Sequence, residues 1–220
     1  MKILITGTSS GIGLAAARKF LHSGHEVIGI DKQNSAIDDK NYTHFIADVA
    51  KKESLPDIDG IEVAFLNAGT QNSGDDIKNN LVGTINAAEK YALCSGIRSV
   101  LFNASASAVS GSEFPEYAAS KAGILGYMKN LAIRLAPKGV TVNAISLGGV
   151  ITSSNAAVIS DKKLWDKIMS VTPLKKWATL DEVAEWVYFL TVINKSMSGE
   201  NVLIDNGEYK LNQTFVWPED

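Results

Sequence analysis

Short apolar runs alternate with stretches of helical periodicity along the whole chain, and this alternation constrains the fold most. The runs lack the polar alternation of a strand with one wet face, so they predict strands buried on both faces. Such strands form a parallel sheet covered by helices, here an open, doubly wound α/β sheet. We expect seven mostly parallel strands in a single domain spanning residues 1–220. The predicted strands are 3–5, 26–30, 44–47, 63–66, 100–102, 141–145 and 202–204.

The connections between these strands predict four main helices, at 12–23, 77–95, 117–136 and 181–193. Intervals 32–43 and 49–62 are short for helical crossovers, so we expect one short helix or irregular backbone there. Segment 153–177 carries Trp165 and Ile168, which favours a helical lid. A surface helix packed on the domain is the alternative.

Composition excludes several classes of function. The chain has 220 residues and a net charge of -3, with scattered basic residues, which argues against a nucleic-acid partner. Cys94 is the single cysteine, and the three histidines lack zinc-site spacing. The apolar run at the start is too short for a secretory signal, and no run reaches the ~20 residues of a membrane span. We therefore expect a cytoplasmic protein without metal, membrane or nucleic-acid partners.

The sequence TGTSSGIG, residues 6–13, follows the first strand and opens the first helix. Glycines there let the backbone turn tightly and approach a pyrophosphate, whose charge lies at the helix N-terminus. A glycine-rich stretch alone is weak evidence, but its place after strand one of a parallel sheet strengthens it. The predicted cofactor-binding residues in this loop are Gly7, Ser9, Ser10, Gly11, Ile12 and Gly13.

Asp31 stands directly after the second predicted strand. A carboxylate at that point accepts hydrogen bonds from the ribose hydroxyls of a dinucleotide and repels a 2′-phosphate. The alternative is an aspartate that caps the following turn. Lys32 could partly neutralise a phosphate, but residues 8–10 add no second cation. The residues therefore favour NAD(H) over NADP(H).

Two further groups follow successive strands. Asp48 and Val49 end the third strand, where the acid could receive an adenine amino group. Asn67, Ala68 and Gly69 end the fourth strand, where small residues let the backbone lie against adenosine. Open α/β sheets bind ligands at such strand ends, so we expect both groups to contact the cofactor.

Tyr117 and Lys121 are spaced i and i+4, one turn apart on the face of a predicted helix. A free phenol titrates near ~10 and is a poor base at neutral pH. A nearby ammonium stabilises the phenolate and lowers the phenol pKa, which suits proton exchange with an alcohol or carbonyl oxygen.

Together, TGTSSGIG, NAG, YAASK and VNAI resemble the short-chain dehydrogenase/reductase family, in the same order from about Ile3 to Gly207. The resemblance implies a Rossmann-type sheet, with a cofactor half at about 1–100 and a catalytic half at about 101–220. It implies that Tyr117 is the acid/base and that Lys121 lowers its pKa and binds the nicotinamide ribose. By the same resemblance, Asn80 holds a water for proton relay, with Asn79 as its rival. Backbone at Val150 and the hydroxyl of Thr152 would then grip the carboxamide.

The sequence departs from the family pattern at the substrate-orienting serine. Counting forward from Asn103 reaches Ala106, and counting back from Tyr117 reaches Ala104. We assign the role to Ser105, with Ser107 second and the absence of any such serine as a third possibility. The interval between Gly69 and Asn80 is also shorter than the family usually has, which trims one wall of the site.

The residues and the resemblance together predict an NAD(H)-dependent oxidoreductase that interconverts a small-molecule secondary alcohol and a ketone. The alternatives are an NAD(H)-binding sensor or scaffold without turnover and an interaction domain that binds no nucleotide. The resemblance also implies a homodimer or homotetramer through helices 77–95 and 117–136. The apolar tail at 215–218 would pack on a neighbouring subunit, beside the site or on its own domain.

Overall fold

The computed structural model describes residues 1–112, 114–209 and 211. Its strands are β1 (Lys2–Thr6), β2 (Glu26–Asp31), β3 (Tyr42–Ile46), β4 (Val63–Leu66), β5 (Ser99–Asn103), β6 (Thr141–Leu147) and β7 (Asn201–Ile204). Its α-helices are α1 (Gly11–His22), α2 (Gly83–Tyr91), α3 (Ser107–Ser110), α4 (Pro115–Leu135), α5 (Ala156–Ser160), α6 (Lys162–Val171) and α7 (Leu180–Tyr188). Every predicted strand and main helix is present, with ends shifted by a few residues.

The strands form one seven-stranded sheet in the order β3-β2-β1-β4-β5-β6-β7, and all neighbouring pairs are parallel. This confirms the predicted doubly wound α/β sheet. The chain winds outward from β1 in one direction and from β4 in the other, so the strand order reverses between them. Ligands of open α/β sheets bind in the crevice at the carboxyl ends of such strands.

Helices cover both faces of the sheet. One core cluster joins one face to α2 and α4, and a second joins the other face to α1 and α7. The buried residues of α4 include Ile124, Met128, Leu131 and Leu135, whereas Ile133 is 74% exposed. Most of the apolar surface of α4 therefore packs within this chain, and the predicted homo-oligomer stays a prediction.

The edge strand β3 departs from the expected burial on both faces. All five of its residues are at least partly exposed, and Ile46 is 64% exposed. The crossover from β2 to β3 is irregular backbone, and that from β3 to β4 holds one short helical turn, Lys52–Ser54. The prediction of short or irregular crossovers is thus confirmed, and it explains why β3 is less covered than the central strands.

Segment 153–177 is largely helical, as predicted, and contains α5 and α6. The predicted helix 77–95 is present as a wide π-helical turn, Ile77–Val82, that continues directly into α2. None of the helices in the described ranges has the length and apolarity needed to cross a membrane. The tail at 215–218 lies outside the described residues.

Candidate active site

A cavity of about 1100 Å³ lies along the carboxyl ends of the strands and collects most of the predicted site residues. The predicted residues that line it are Gly7, Ser10, Gly11, Ile12, Asp31, Asp48, Val49, Asn67, Ala68, Gly69, Ser105, Tyr117, Lys121, Val150 and Thr152. The parallel sheet brings these residues together because each follows or ends a strand, or lies on the helix next to one.

The glycine-rich loop has the geometry expected of a phosphate cradle. Gly7 has a φ of +79°, and its N–H donates to the Ile30 carbonyl over 2.7 Å. A Cβ on Gly13 would lie 1.9 Å from the Gly7 carbonyl oxygen, so only glycine allows the helix start to approach the loop this closely. Within the described chain, no side chain caps α1, and its first turn carries no acidic residue. The helix start can therefore receive a pyrophosphate.

Asp31 is the last residue of β2 and links two loops. Its Oδ2 accepts the Ser9 N–H over 2.9 Å, and its Oδ1 accepts the Gln33 N–H over 3.0 Å. The second contact is the turn cap considered as an alternative, and the first reaches the glycine-rich loop. Because Asp31 also lines the cavity, the capping contact and ribose recognition are compatible.

Asn67 serves the fold as well as the cavity wall. Its Nδ2 donates to the Thr6 carbonyl over 3.0 Å, and its Oδ1 accepts from Asn103 Nδ2 over 2.8 Å. These bonds tie together the ends of β1, β4 and β5. Asp48 Oδ1 accepts the Ala50 N–H over 3.0 Å and so shapes the turn after β3.

Tyr117 and Lys121 lie on the first two turns of α4, beside the end of β5. The ammonium of Lys121 lies 5.7 Å from the Tyr117 ring centre and donates to the Asn103 carbonyl over 2.8 Å. Lys121 is only 4% exposed, and burial lowers its pKa to about 8. The spacing thus places a buried ammonium beside the phenol.

Of the two candidate serines, Ser105 lines the cavity. Its Oγ lies 3.0 Å from Ser107 Oγ and accepts the Ser107 N–H over 3.2 Å. Ser107 begins α3 and is itself buried, so its contacts support the position of Ser105.

Asn80 is fully buried in the π-helical turn. Its Oδ1 accepts the Thr70 N–H over 2.6 Å, and its Nδ2 donates to the Thr70 carbonyl and to Ser120 Oγ. Ser120 in turn donates to the Tyr117 carbonyl over 2.7 Å. The side chain therefore supports the cavity wall and the helix that carries the tyrosine, while its rival Asn79 lines the cavity. The water-holding role expected for Asn80 stays a prediction.

The loop after β6 is fixed by a contact that sequence reasoning missed. Ala178 donates to the Gly149 carbonyl and accepts from the Ile151 N–H, which makes a short parallel bridge to Val150. A Cβ on Gly149 would lie 2.0 Å from Trp177 Nε1, so the second glycine of the Gly148–Gly149 pair makes room for this ring. Trp165 of α6 packs edge-on against Trp177, at 5.0 Å between ring centres. Segment 153–177 and the loop after β6 are thus in direct contact.

Comparisons with known proteins agree with this geometry. A family model described as enoyl-(acyl carrier protein) reductase matches residues 59–208. The chain is 31% identical to (+)-borneol dehydrogenase 1 of Salvia officinalis over 243 residues, covering 95% of this chain and 94% of that protein.

Two solved structures share the fold over nearly the whole chain. A putative 2-deoxy-D-gluconate 3-dehydrogenase of Agrobacterium tumefaciens, with bound NADP, has a TM-score of 0.83 at 26% identity. It covers 94% of this chain and 95% of its own. A 4-hydroxyisoleucine dehydrogenase complexed with NADH has a TM-score of 0.84 at 23% identity, covering 96% and 99%. With these matches and the geometry above, the chain belongs to the short-chain dehydrogenase/reductase family and is an oxidoreductase that acts on CH–OH donors.

Proposed function

We propose that this protein is an NAD(H)-dependent oxidoreductase that interconverts a secondary alcohol and a ketone. One observation carries the proposal. Tyr117, Lys121 and Ser105 line the same cavity as Asp31 and the glycine-rich loop. The proton-handling groups and the predicted dinucleotide site therefore share one continuous space.

The proposed chemistry divides between the cofactor and the chain. A bound nicotinamide supplies or receives the hydride. In the reducing direction, the Tyr117 hydroxyl gives its proton to the carbonyl oxygen of the substrate, and the reverse transfer accompanies alcohol oxidation. Ser105 donates a hydrogen bond to that oxygen and so fixes its position.

The surroundings of Tyr117 favour the charge that this transfer creates. The ammonium of Lys121 is buried 5.7 Å from the phenol ring, where little solvent screens its field, so it stabilises a phenolate. One of its protons is held by the Asn103 carbonyl. The remaining two would hold ribose hydroxyls of a bound cofactor.

Asp31 supports the preference for NAD(H) over NADP(H). Its carboxylate is held by two backbone N–H groups at the edge of the cavity, where it can accept from ribose hydroxyls. A 2′-phosphate at that position would meet the same negative charge. We expect Asp31→Ala to reduce the ratio of NADPH to NADH dissociation constants at least tenfold, as measured by calorimetric titration. An unchanged ratio would contradict the assignment of this carboxylate.

The acid/base role is tested with Tyr117→Phe, which removes the reacting hydroxyl and keeps the ring. We expect turnover to fall at least a thousandfold in a panel of secondary alcohols and ketones, while NADH affinity changes less than threefold. Tyr188→Phe, far from the cavity, is the matched control and should keep full turnover. Binding of NADH without turnover in the wild-type chain across the panel would favour the sensor alternative.

A further inference from the structure

A series of hydrogen bonds connects the glycine-rich loop with the turn after β2 through side chains of the edge strand β3. Tyr42 and His44 are separated by one residue on β3, so both side chains lie on the same face of the strand. The Tyr42 hydroxyl is 2.8 Å from Thr8 Oγ1 and 2.8 Å from His44 Nδ1. On its other side, His44 Nε2 lies 2.8 Å from the Gln33 carbonyl oxygen. The series therefore runs from Thr8 to Gln33.

Both ends of this series belong to loops that the proposed function assigns to the cofactor. Thr8 is fully buried inside the glycine-rich loop, and Gln33 follows Asp31 in the turn after β2. Asp31 is bonded to the same two loops, through the Ser9 and Gln33 N–H groups. The backbone of Gln33 is thus held at its N–H by Asp31 and at its carbonyl by His44.

The absence of a side chain at Gly29 provides the space for these hydrogen-bonded side chains. It lies inside β2, where glycine is unfavourable because it adds backbone freedom to the unfolded chain and no packing to the sheet. A Cβ on Gly29 would lie 2.0 Å from the Tyr42 hydroxyl oxygen and 2.4 Å from Thr8 Oγ1. The missing side chain leaves the space in which these two hydroxyls meet.

The carbonyl of Gln33 can only accept, so the proton of this bond must be on His44 Nε2. Burial raises the pKa of Tyr42, which keeps its phenol neutral and able to serve both neighbours. Every polar atom along the series is then used within the protein. These side chains bond to one another and to the two loops, and they act through those loops.

We propose that Tyr42 and His44 are positioning residues for cofactor selectivity: they fix the Thr8 and Gln33 loops and so hold the carboxylate of Asp31 against a 2′-phosphate. This rests on the proposed NAD(H) function. A rigid carboxylate cannot turn away from the phosphate of NADP(H), whereas a loosened turn allows it to move and lowers the penalty. Loss of the hydrogen bonds from Thr8 through Tyr42 and His44 to Gln33 therefore weakens NADH binding modestly and improves the relative binding of NADPH.

The test is calorimetric titration with NADH and NADPH, which needs no substrate. We expect Tyr42→Phe to lower the ratio of the NADPH to the NADH dissociation constant by about threefold to tenfold, the effect of one hydrogen bond. Thr8→Val should act in the same direction, and Thr8→Ser, which keeps the hydroxyl, should restore the wild-type ratio. Tyr188→Phe is the matched control, because Tyr188 also meets a histidine, His25, at 3.4 Å and lies away from the cavity.

A double-variant comparison separates positioning from general destabilisation. If Tyr42 acts through Asp31, then adding Tyr42→Phe to Asp31→Ala should change the ratio no further. A ratio unchanged in Tyr42→Phe and in Thr8→Val, or an equal further fall in the Asp31→Ala background, would overturn the inference while the proposed function stands. Failure of the wild-type chain to bind either nucleotide would instead overturn the proposed function, and the inference with it.

Discussion

Lys121 carries a proposed catalytic role and a buried charge that costs stability. Burial lowers its pKa to about 8, whereas a lysine in an unfolded chain titrates near ~10.4. The unfolded chain therefore binds this proton more tightly, and the buried charge destabilises the fold at all pH values below 8. The penalty disappears as the pH rises from 8 to about 10.4, because both states then lose the proton.

The substitution Lys121→Met removes this titration. We expect the free energy of unfolding of the wild-type chain to rise relative to that of Lys121→Met between pH 8 and pH 10, as measured by urea denaturation. Turnover should fall at least a hundredfold at every pH. Lys129→Met changes an exposed lysine on the same helix and should show no such pH trend. A stability difference that stays constant with pH would contradict a buried charge at Lys121.

At the level of the elements, the short segment between β4 and the π-helical turn forms part of the cavity wall, and hydrogen bonds to one carboxylate hold it in place. Asp76 is 1% exposed and accepts from Thr70 Oγ1, Ser73 Oγ and the Asn72 N–H over 2.7–2.8 Å. Burial opposes its charge, but hydrogen bonds from Ser73 and Thr70 hold its pKa below the ordinary value. The same Thr70 is the backbone partner of Asn80, so this carboxylate organises the wall below Tyr117 and Lys121.

Two adjacent aspartates allow a matched test of this element. We expect Asp76→Ala to lower the free energy of unfolding by about 2 kcal/mol, because it removes the buried carboxylate that accepts hydrogen bonds from Thr70, Asn72 and Ser73. The same variant should lower kcat/KM more than tenfold. Asp75 is exposed, so Asp75→Ala should leave both quantities near wild type. Equal effects of the two substitutions in denaturation and steady-state assays would rule out a special role for Asp76.

At the scale of the whole molecule, the fold and the position of the cavity at one edge of the sheet could be predicted, because both follow from local sequence patterns. Apolar runs located the strands, and the parallel sheet then placed the residues after each strand at one edge. The contacts that complete the site were not predictable in this way. Tyr42 on β3 reaches Thr8, which follows β1, across β2, and Trp177 reaches Gly149 from a distant segment. The sequence signals of these contacts are Gly29 and Gly149. A glycine, however, does not reveal which aromatic side chain packs against it.

The roles of individual polar side chains were hardest to predict for the same reason. Position in the sequence predicts site roles for Asn67 and Asn80, whereas in the structure their amides make hydrogen bonds that hold the cavity wall together. Of the two candidate serines, Ser105 lines the cavity, next to the Ala104 and Ala106 that residue counting reaches, and its role in orienting a substrate stays a prediction. Spacing along the chain gives a place near the site, whereas hydrogen-bond partners decide what the side chain does there.

The partly exposed edge strand β3 has a consequence for how ligand and fold depend on each other. Its covering crossovers are short, and Asp48 and Val49 continue from its end into the cavity. A nucleotide bound there would contact the ends of both β2 and β3 and hold them together. A ligand that binds only the native state stabilises that state. The cellular dinucleotide concentration would therefore set how stably β3 stays paired at this edge of the sheet and how readily proteases cleave there.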